Sequence, residues 1–269
     1  MSDHPLDAAI ALSPQGEHTS VGRTSAAYAN MIGPFGGITA AQAINAVLRH
    51  LGLLGEPIAL TVNFAAAVAA GEFEITARPA RTNRSTQHWV IEMRQDGAAV
   101  LTATAVTALR RETWSPPDLP MPEVARPFEV PVSQGRSLVE WVNRYELRFI
   151  EGALPSTWDG ADLGHSRTRV WMRDNPPRAL DFASLTAIAD VFFPRIWLRR
   201  SMLVPIGTVS MTVYFHASGT ELSTIGEGHL LGQAEGQGFH NGYLDQKAQL
   251  WSEAGKLLAT SHQIMYFKE

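Results

Sequence analysis

Two stretches of the chain repeat apolar residues at helical spacing, and most of the rest alternates at the period of a strand. The first helix signal is ITAAQAINAVLRHLG, directly after Gly36-Gly37, with Ile38, Ala41, Asn45 and Leu48 recurring on one face. Gly52 and Gly55 are read as its end. The second is ALDFASLTAIADVFFPR, residues 179–195. Asp181 stands where an N-cap would, and Pro194 stops the helix because it has no N–H to donate. A helical wheel puts Phe182, Leu185, Ala189, Phe192 and Phe193 on one broad face. Asp190 falls on another, beside the small residues Ala183, Thr186 and Ala187. Such a carboxylate is either solvated or has room beside it for something that is not protein.

Strand signals fill the intervals. IALTVNFAAA (58–67), GEFEITARP (71–79), TQHWVIEMR (86–94) and AAVLTATAVTAL (98–109) follow the first helix, with Asp96-Gly97 as a hairpin turn between the last two. YELRFIEG (145–152) and RTRVWMRD (167–174) precede the second helix. GTVSMTVYFH (207–216), ELSTIGEGH (221–229), 238–251 and 252–267 follow it. Between the halves, residues 112–137 hold six prolines, a composition unfit for a helix interior or a central strand, and are read as a linker.

The second half echoes the first. Thr61-Val62-Asn63-Phe64 answers Thr212-Val213-Tyr214-Phe215, 151 residues on, and Asp96-Gly97 with AAVLTATA answers Ala254-Gly255 with KLLATS, 158 residues on. The expected class is α+β: two copies, each one helix and an antiparallel sheet of about five strands that needs a cover for its apolar face. The expected units are residues 1–111, the linker 112–137, and residues 138–269.

Composition narrows the chemistry. With 45% hydrophobic and 18% charged residues in 269, a sizeable core can be buried. The net charge of −4 without a basic block argues against nucleic acid. The absence of cysteine excludes disulfides, a thiol nucleophile and thiolate metal sites. Glycines and polar residues interrupt the uncharged run 24–48, so no membrane span is expected, and the acidic opening MSDHPLDAAI is not read as a signal peptide. No GxSxG, HExxH or close histidine pair is present. Gly36-Gly37 at a helix start lets the backbone approach a ligand with its N–H groups outward; it equally suits a tight turn and close packing against a sheet.

A helix begun by Gly-Gly and wrapped by an antiparallel sheet resembles the hotdog fold. Two fused copies resemble the double-hotdog acyl-CoA thioesterases of the TesB-like (type II) class. Phe35-Gly36-Gly37 with Ala40, Ala41, Gln42 and Ala43 resembles the family's first-helix opening, and LTAIADVFFP (185–194) its second-helix stretch. TVSMTVYFH (208–216) looks like the strand ending in aromatic-Phe-His, and LATSHQ (258–263) like the last strand. The resemblance implies two fused hotdog folds and a catalytic set of Asp190, Thr208 and Gln263 acting on an acyl-CoA thioester through an oriented water. This chain has Ser210-Met211-Thr212 where the family has Asp-His-Ser/Ala, and a short loop after Asp190, so Ser210 or Thr212 could replace Thr208 as the hydroxyl. The backbone N–H groups of Gly36 and Gly37 could hold the thioester oxygen. Phe192, Phe193 and Trp197 are candidate acyl-tunnel walls, and Arg195, Arg199 and Arg200 either meet CoA phosphates or form a solvated helix end. No cofactor beyond the substrate's CoA and no metal are expected, and the implied setting is cytoplasmic lipid metabolism. A homo-oligomer is expected by analogy with other hotdog sheets. Two other readings stay open: a hotdog acyl-CoA hydratase or dehydratase, and a silent acyl-binding or assembly protein.

Overall fold

The computed structural model describes residues 4–133, 135 and 137–268. The first half supplies strands β1 (Ser13–Pro14), β2 (Thr19–Arg23), β3 (Glu56–Phe64), β4 (Glu72–Thr82), β5 (Thr86–Gln95) and β6 (Ala98–Ala108). The second supplies β7 (Tyr145–Glu151), β8 (Thr168–Asp174), β9 (Ile206–Phe215), β10 (Leu230–Glu235), β11 (Phe239–His240), β12 (Tyr243–Ser252) and β13 (Leu257–Phe267). They form one sheet in the order β1-β2-β4-β5-β6-β3-β9-β13-β12-β10-β8-β7, with β11 against β12. The helices are α1 (Pro5–Ala9), α2 (Gly36–Leu48), α3 (Phe182–Ile188), α4 (Arg195–Arg200) and α5 (Gly219–Ile225).

Reading outward from the β3–β9 seam, the order β3-β6-β5-β4-β2 on one side matches β9-β13-β12-β10-β8 on the other. Thr61 lies opposite Thr212, and their hydroxyls meet at 3.0 Å. These are the two residues that the internal repeat makes equivalent, so the pseudo-twofold axis passes between them. The repeat is therefore two hotdog units joined edge to edge, each with its own helix, α2 or α3, inside the curve of the sheet. Every residue of α3 is buried, as is most of α2. That burial follows from their composition. Alanine, threonine and glycine leave little side-chain bulk, so the two helices pack on each other and on the sheet's apolar face.

Three expectations need correction. Residues 179–195 are not one helix. Asp181 does cap α3, accepting from the Ser184 N–H at 2.8 Å, but the helix ends at Ile188. Asp190 follows in a tight turn, with its N–H on the Ala187 carbonyl at 3.1 Å and the Val191 N–H on that of Ile188 at 3.1 Å. Pro194 then stands as the N-cap of α4 rather than the stop of α3. Second, Glu221–His229 is no strand. Ser218 and Glu221 form a reciprocal capping box that starts α5, and β10 begins only at Leu230. Third, α2 stops at Leu48, before the glycines expected to end it.

Between Ala108 and Tyr145 the described residues hold only 3₁₀ turns, at Pro127–Glu129 and Glu140–Arg144. Part of this proline-rich segment lies on the outer face of the second half. The Trp171 indole N–H donates to the Ala125 carbonyl at 2.8 Å, and Val130 packs with Trp171, Leu231 and Trp251.

Candidate active site

The buried carboxylate of Asp190 is where the two halves meet chemically. Its turn follows α3, and the Ala189 carbonyl accepts from the Ser261 hydroxyl of β13 at 3.4 Å, tying the turn to the sheet. Two residues along β13, the Gln263 side-chain amide donates to Asp190 Oδ1 at 2.8 Å. From the other half, the backbone N–H of Gly37 donates to the same carboxylate. The start of α2 has no side-chain cap. Asp190 supplies one from across the pseudo-twofold axis, which satisfies a donor that would otherwise be orphaned.

Close approach explains both glycines. A Cβ at Gly36 would sit 2.9 Å from Asp190 Oδ2, and one at Gly37 would sit 2.7 Å from the Ala187 carbonyl oxygen. The first would push on the carboxylate, the second on the backbone where α2 crosses α3. Of the two N–H groups expected to face a ligand, that of Gly37 is engaged by Asp190.

Asp190 is only 8% exposed, and burial raises its pKa from 3.8 to about 7, against the lowering hydrogen bonds from Gln263 and Gly37. A carboxylate with that value is half-protonated near neutral pH, which suits it to accept a proton from water. No histidine bonds to it among the described residues; its partners are Gln263 and Gly37.

The structure separates the three candidate hydroxyls. Along β9 the register runs Met211 opposite Gln263, Ser210 opposite Ile264, then Thr208 opposite Met265, with Val209 bulged out. The bulge shifts the alternation by one. Thr208 therefore shares the inner face with Met211, Gln263 and Met265, although no hydrogen bond joins it to Asp190 or Gln263 among the described residues. Ser210 and Thr212 lie on the outer face, in a shallow groove with Asp245 and His262, where Thr212 is held by Thr61. No pattern in the sequence announces the bulge.

The aromatic pair has a packing role. Phe192 is core, close enough to Gly232 that a Cβ there would meet its ring at 2.6 Å, and Phe193 lies 6.2 Å from the Phe149 ring. Arg195 is not at a solvated helix end. It is fully buried, 4.6 Å from the Phe193 ring centre, and donates to the Ser166 carbonyl at 3.1 Å, to the Thr168 hydroxyl at 2.7 Å and to the Phe193 carbonyl. Burial without a carboxylate partner lowers its pKa to about 9. Arg199 pairs with Asp162 at 2.7 Å.

The duplication also shows that the first copy has no equivalent of the Asp190–Gln263 pair among the described residues. Gln263 is 158 residues beyond Ala105, its counterpart in the first copy, and α2 has no acidic residue. Sequence reasoning missed Gln246. It lies opposite Gln263 on β12 and is fully buried. The signal was present: in YLDQKAQL the inward positions read Leu244, Gln246, Ala248 and Leu250, one polar residue in an apolar row.

Two family profiles match the chain. The one described as the acyl-CoA thioesterase C-terminal domain covers residues 116–267, and the one described as the N-terminal domain covers 25–108. A hot dog fold protein of unknown function from Alicyclobacillus acidocaldarius is 46% identical, with a TM-score of 0.94 over 100% of this chain and 99% of that one. Acyl-CoA thioesterase II TesB2 from Mycobacterium marinum superposes with a TM-score of 0.79 at 15% identity, over 98% of both chains. The tesB protein of Mycobacterium avium subs paratuberculosis gives 0.77 at 18% identity, again over 98% of both. No curated protein sequence matches the chain.

Proposed function

This chain belongs to the acyl-CoA thioesterase family and hydrolyses acyl-CoA thioesters, and we propose that Asp190 is the general base of that reaction. The observation that carries the proposal is the Asp190 carboxylate itself: buried, raised to about 7, and held between Gln263 and the α2 N-terminus. Water donates a hydrogen bond to Asp190 and attacks the thioester carbon as its proton passes to the carboxylate. The C–O bond forms, the carbonyl becomes an oxyanion, and its collapse expels the CoA thiolate. The thiolate takes up the proton and the free acid leaves. Gln263 fixes the carboxylate and, with Thr208 on the same face, the water. The N–H of Gly36, at the positive end of α2, stabilises the oxyanion. Phe192, Phe193 and Trp197 bound the acyl side. No cofactor or metal takes part in these steps. The setting is lipid metabolism in the cytoplasm, and the chain assembles as a homo-oligomer through its edge strands, as hotdog sheets do by analogy.

A hydratase reading needs a histidine facing Asp190, and among the described residues its partners are Gln263 and Gly37. Release of free thiol from a series of acyl-CoAs tests the activity, and Asp190→Asn tests the base. Undiminished release by that variant would refute the assignment.

A further inference from the structure

Gln246 faces Gln263 across the β12–β13 ladder, on the inner face of the sheet. It is 0% exposed, yet neither its amide oxygen nor its amide nitrogen has a hydrogen-bond partner among the described residues. The Gln263 amide oxygen beside it is also unpartnered, while the Gln263 nitrogen is committed to Asp190. Two residues further along the same strands, Leu244 and Met265 belong with Ile196 and Val204 to a buried cluster that Trp197 packs against, and the Trp197 indole N–H is buried and unpartnered as well. Buried amide groups left unpaired are costly, and natural cores avoid them. Here they form a row that leads away from Asp190 under α4.

Taken together with the reading of Asp190 and Gln263 given above, on which this rests, the geometry points to Gln246 as the residue that selects the acyl chain: the preferred acyl-CoAs carry a hydroxyl group within the first few carbons of the thioester, and Gln246 hydrogen-bonds it. An amide offers one acceptor and one donor side by side, and a hydroxyl is the acyl substituent that uses both. Adjacent strands are about 4.8 Å apart. With Gln263 at the attacked carbon, Gln246 is therefore in reach of about the third to fifth carbon. A plain methylene chain leaves the amide unpaired, and a site built to bond a hydroxyl rejects the analogue that lacks it.

The test compares hexanoyl-CoA with 3-, 4- and 5-hydroxyhexanoyl-CoA, following thiol release by the wild type and by Gln246→Leu and Gln246→Met, each checked for folding by thermal melting. The wild type is expected to favour one hydroxylated isomer by about tenfold or more in kcat/KM. In both variants that ratio falls to about one. No preference in the wild type, or an equal loss on all four thioesters in the variants, would overturn the inference; the latter result would make Gln246 a holder of water instead. Binding of the same four thioesters to the Asp190→Asn protein, measured by calorimetry, separates the two levels. If that variant still releases thiol, the base assignment fails. A hydroxyl preference in binding that Gln246→Leu removes supports the inference whichever way the base is decided, and its absence counts against it.

Discussion

Replacing Asp190 by Asn should make the protein more stable and inactive at once. The folded-state pKa of Asp190 is about 7 against an ordinary 3.8. The folded protein thus binds this proton more tightly than the unfolded chain does. The group is harmless below about pH 4, where both states are protonated, and its cost grows as pH rises to about 7, where the folded carboxylate is forced to ionise. At about 1.36 kcal/mol per pH unit the full cost is about 4 kcal/mol. The Asp190→Asn substitution removes the charge and keeps an oxygen for the Gln263 amide, but one of the two accepting oxygens is lost, at about 1–2 kcal/mol because the Gly37 N–H is left unpaired. The net expectation is a variant about 2–3 kcal/mol more stable than wild type at pH 8, with the difference shrinking and then reversing toward pH 4. Urea denaturation at pH 4.5, 6, 7 and 8 measures it. In parallel, kcat/KM of the wild type rises with pH through an acid limb centred near 7, and Asp190→Asn loses about 10²–10⁴ in rate. A stability difference that does not change with pH would refute the buried-base account, even if activity were lost.

The remaining expectations concern the partners of that carboxylate and the segment behind the sheet. Gln263→Ala removes the hydrogen bond that does most to lower the Asp190 pKa, so the acid limb moves above 7 and kcat drops by about tenfold or more, read from a pH–rate profile. Gly36→Ala places a methyl 2.9 Å from Asp190 Oδ2; steady-state kinetics should show activity falling about tenfold while the melting temperature changes little. Gly37→Ala meets the Ala187 backbone oxygen at 2.7 Å, so it should cost about 1–3 kcal/mol in denaturant unfolding. Trp171→Phe frees the Ala125 carbonyl from its 2.8 Å bond and should cost about 1 kcal/mol, with local proteolysis of the proline-rich segment increasing before global unfolding does.

Much of this protein is written locally in its chain. Period-two alternation along β5, β6 and β12 defines their inward faces, Asp96-Gly97 sets a hairpin, Asp181 starts α3, and Thr61 and Thr212 announce the repeat. Each depends on residues a few positions apart, or on likeness between two segments, and both are visible in one dimension. The resemblance named Asp190 and Gln263 together, and the fold brings their side chains into one hydrogen bond. What only the tertiary structure decided is what the distant partners do. Pattern suggested Asp190 inside a helix, but its turn is bound to β13 and its carboxylate caps a helix from the other copy. The bulge at Val209, which gives Thr208 the inner face and leaves Ser210 and Thr212 outside, depends on how β9 pairs with β13. Arg195 reads as a phosphate-binding or solvated cation and is buried because Ser166 and Thr168, at the entry to β8, accept from it. Gln246 reads as one polar residue in an apolar row until Gln263 is found opposite. Burial and pairing are properties of neighbours brought together by the fold, so the pKa values, the satisfied bonds and the unsatisfied ones could not be read from the chain alone.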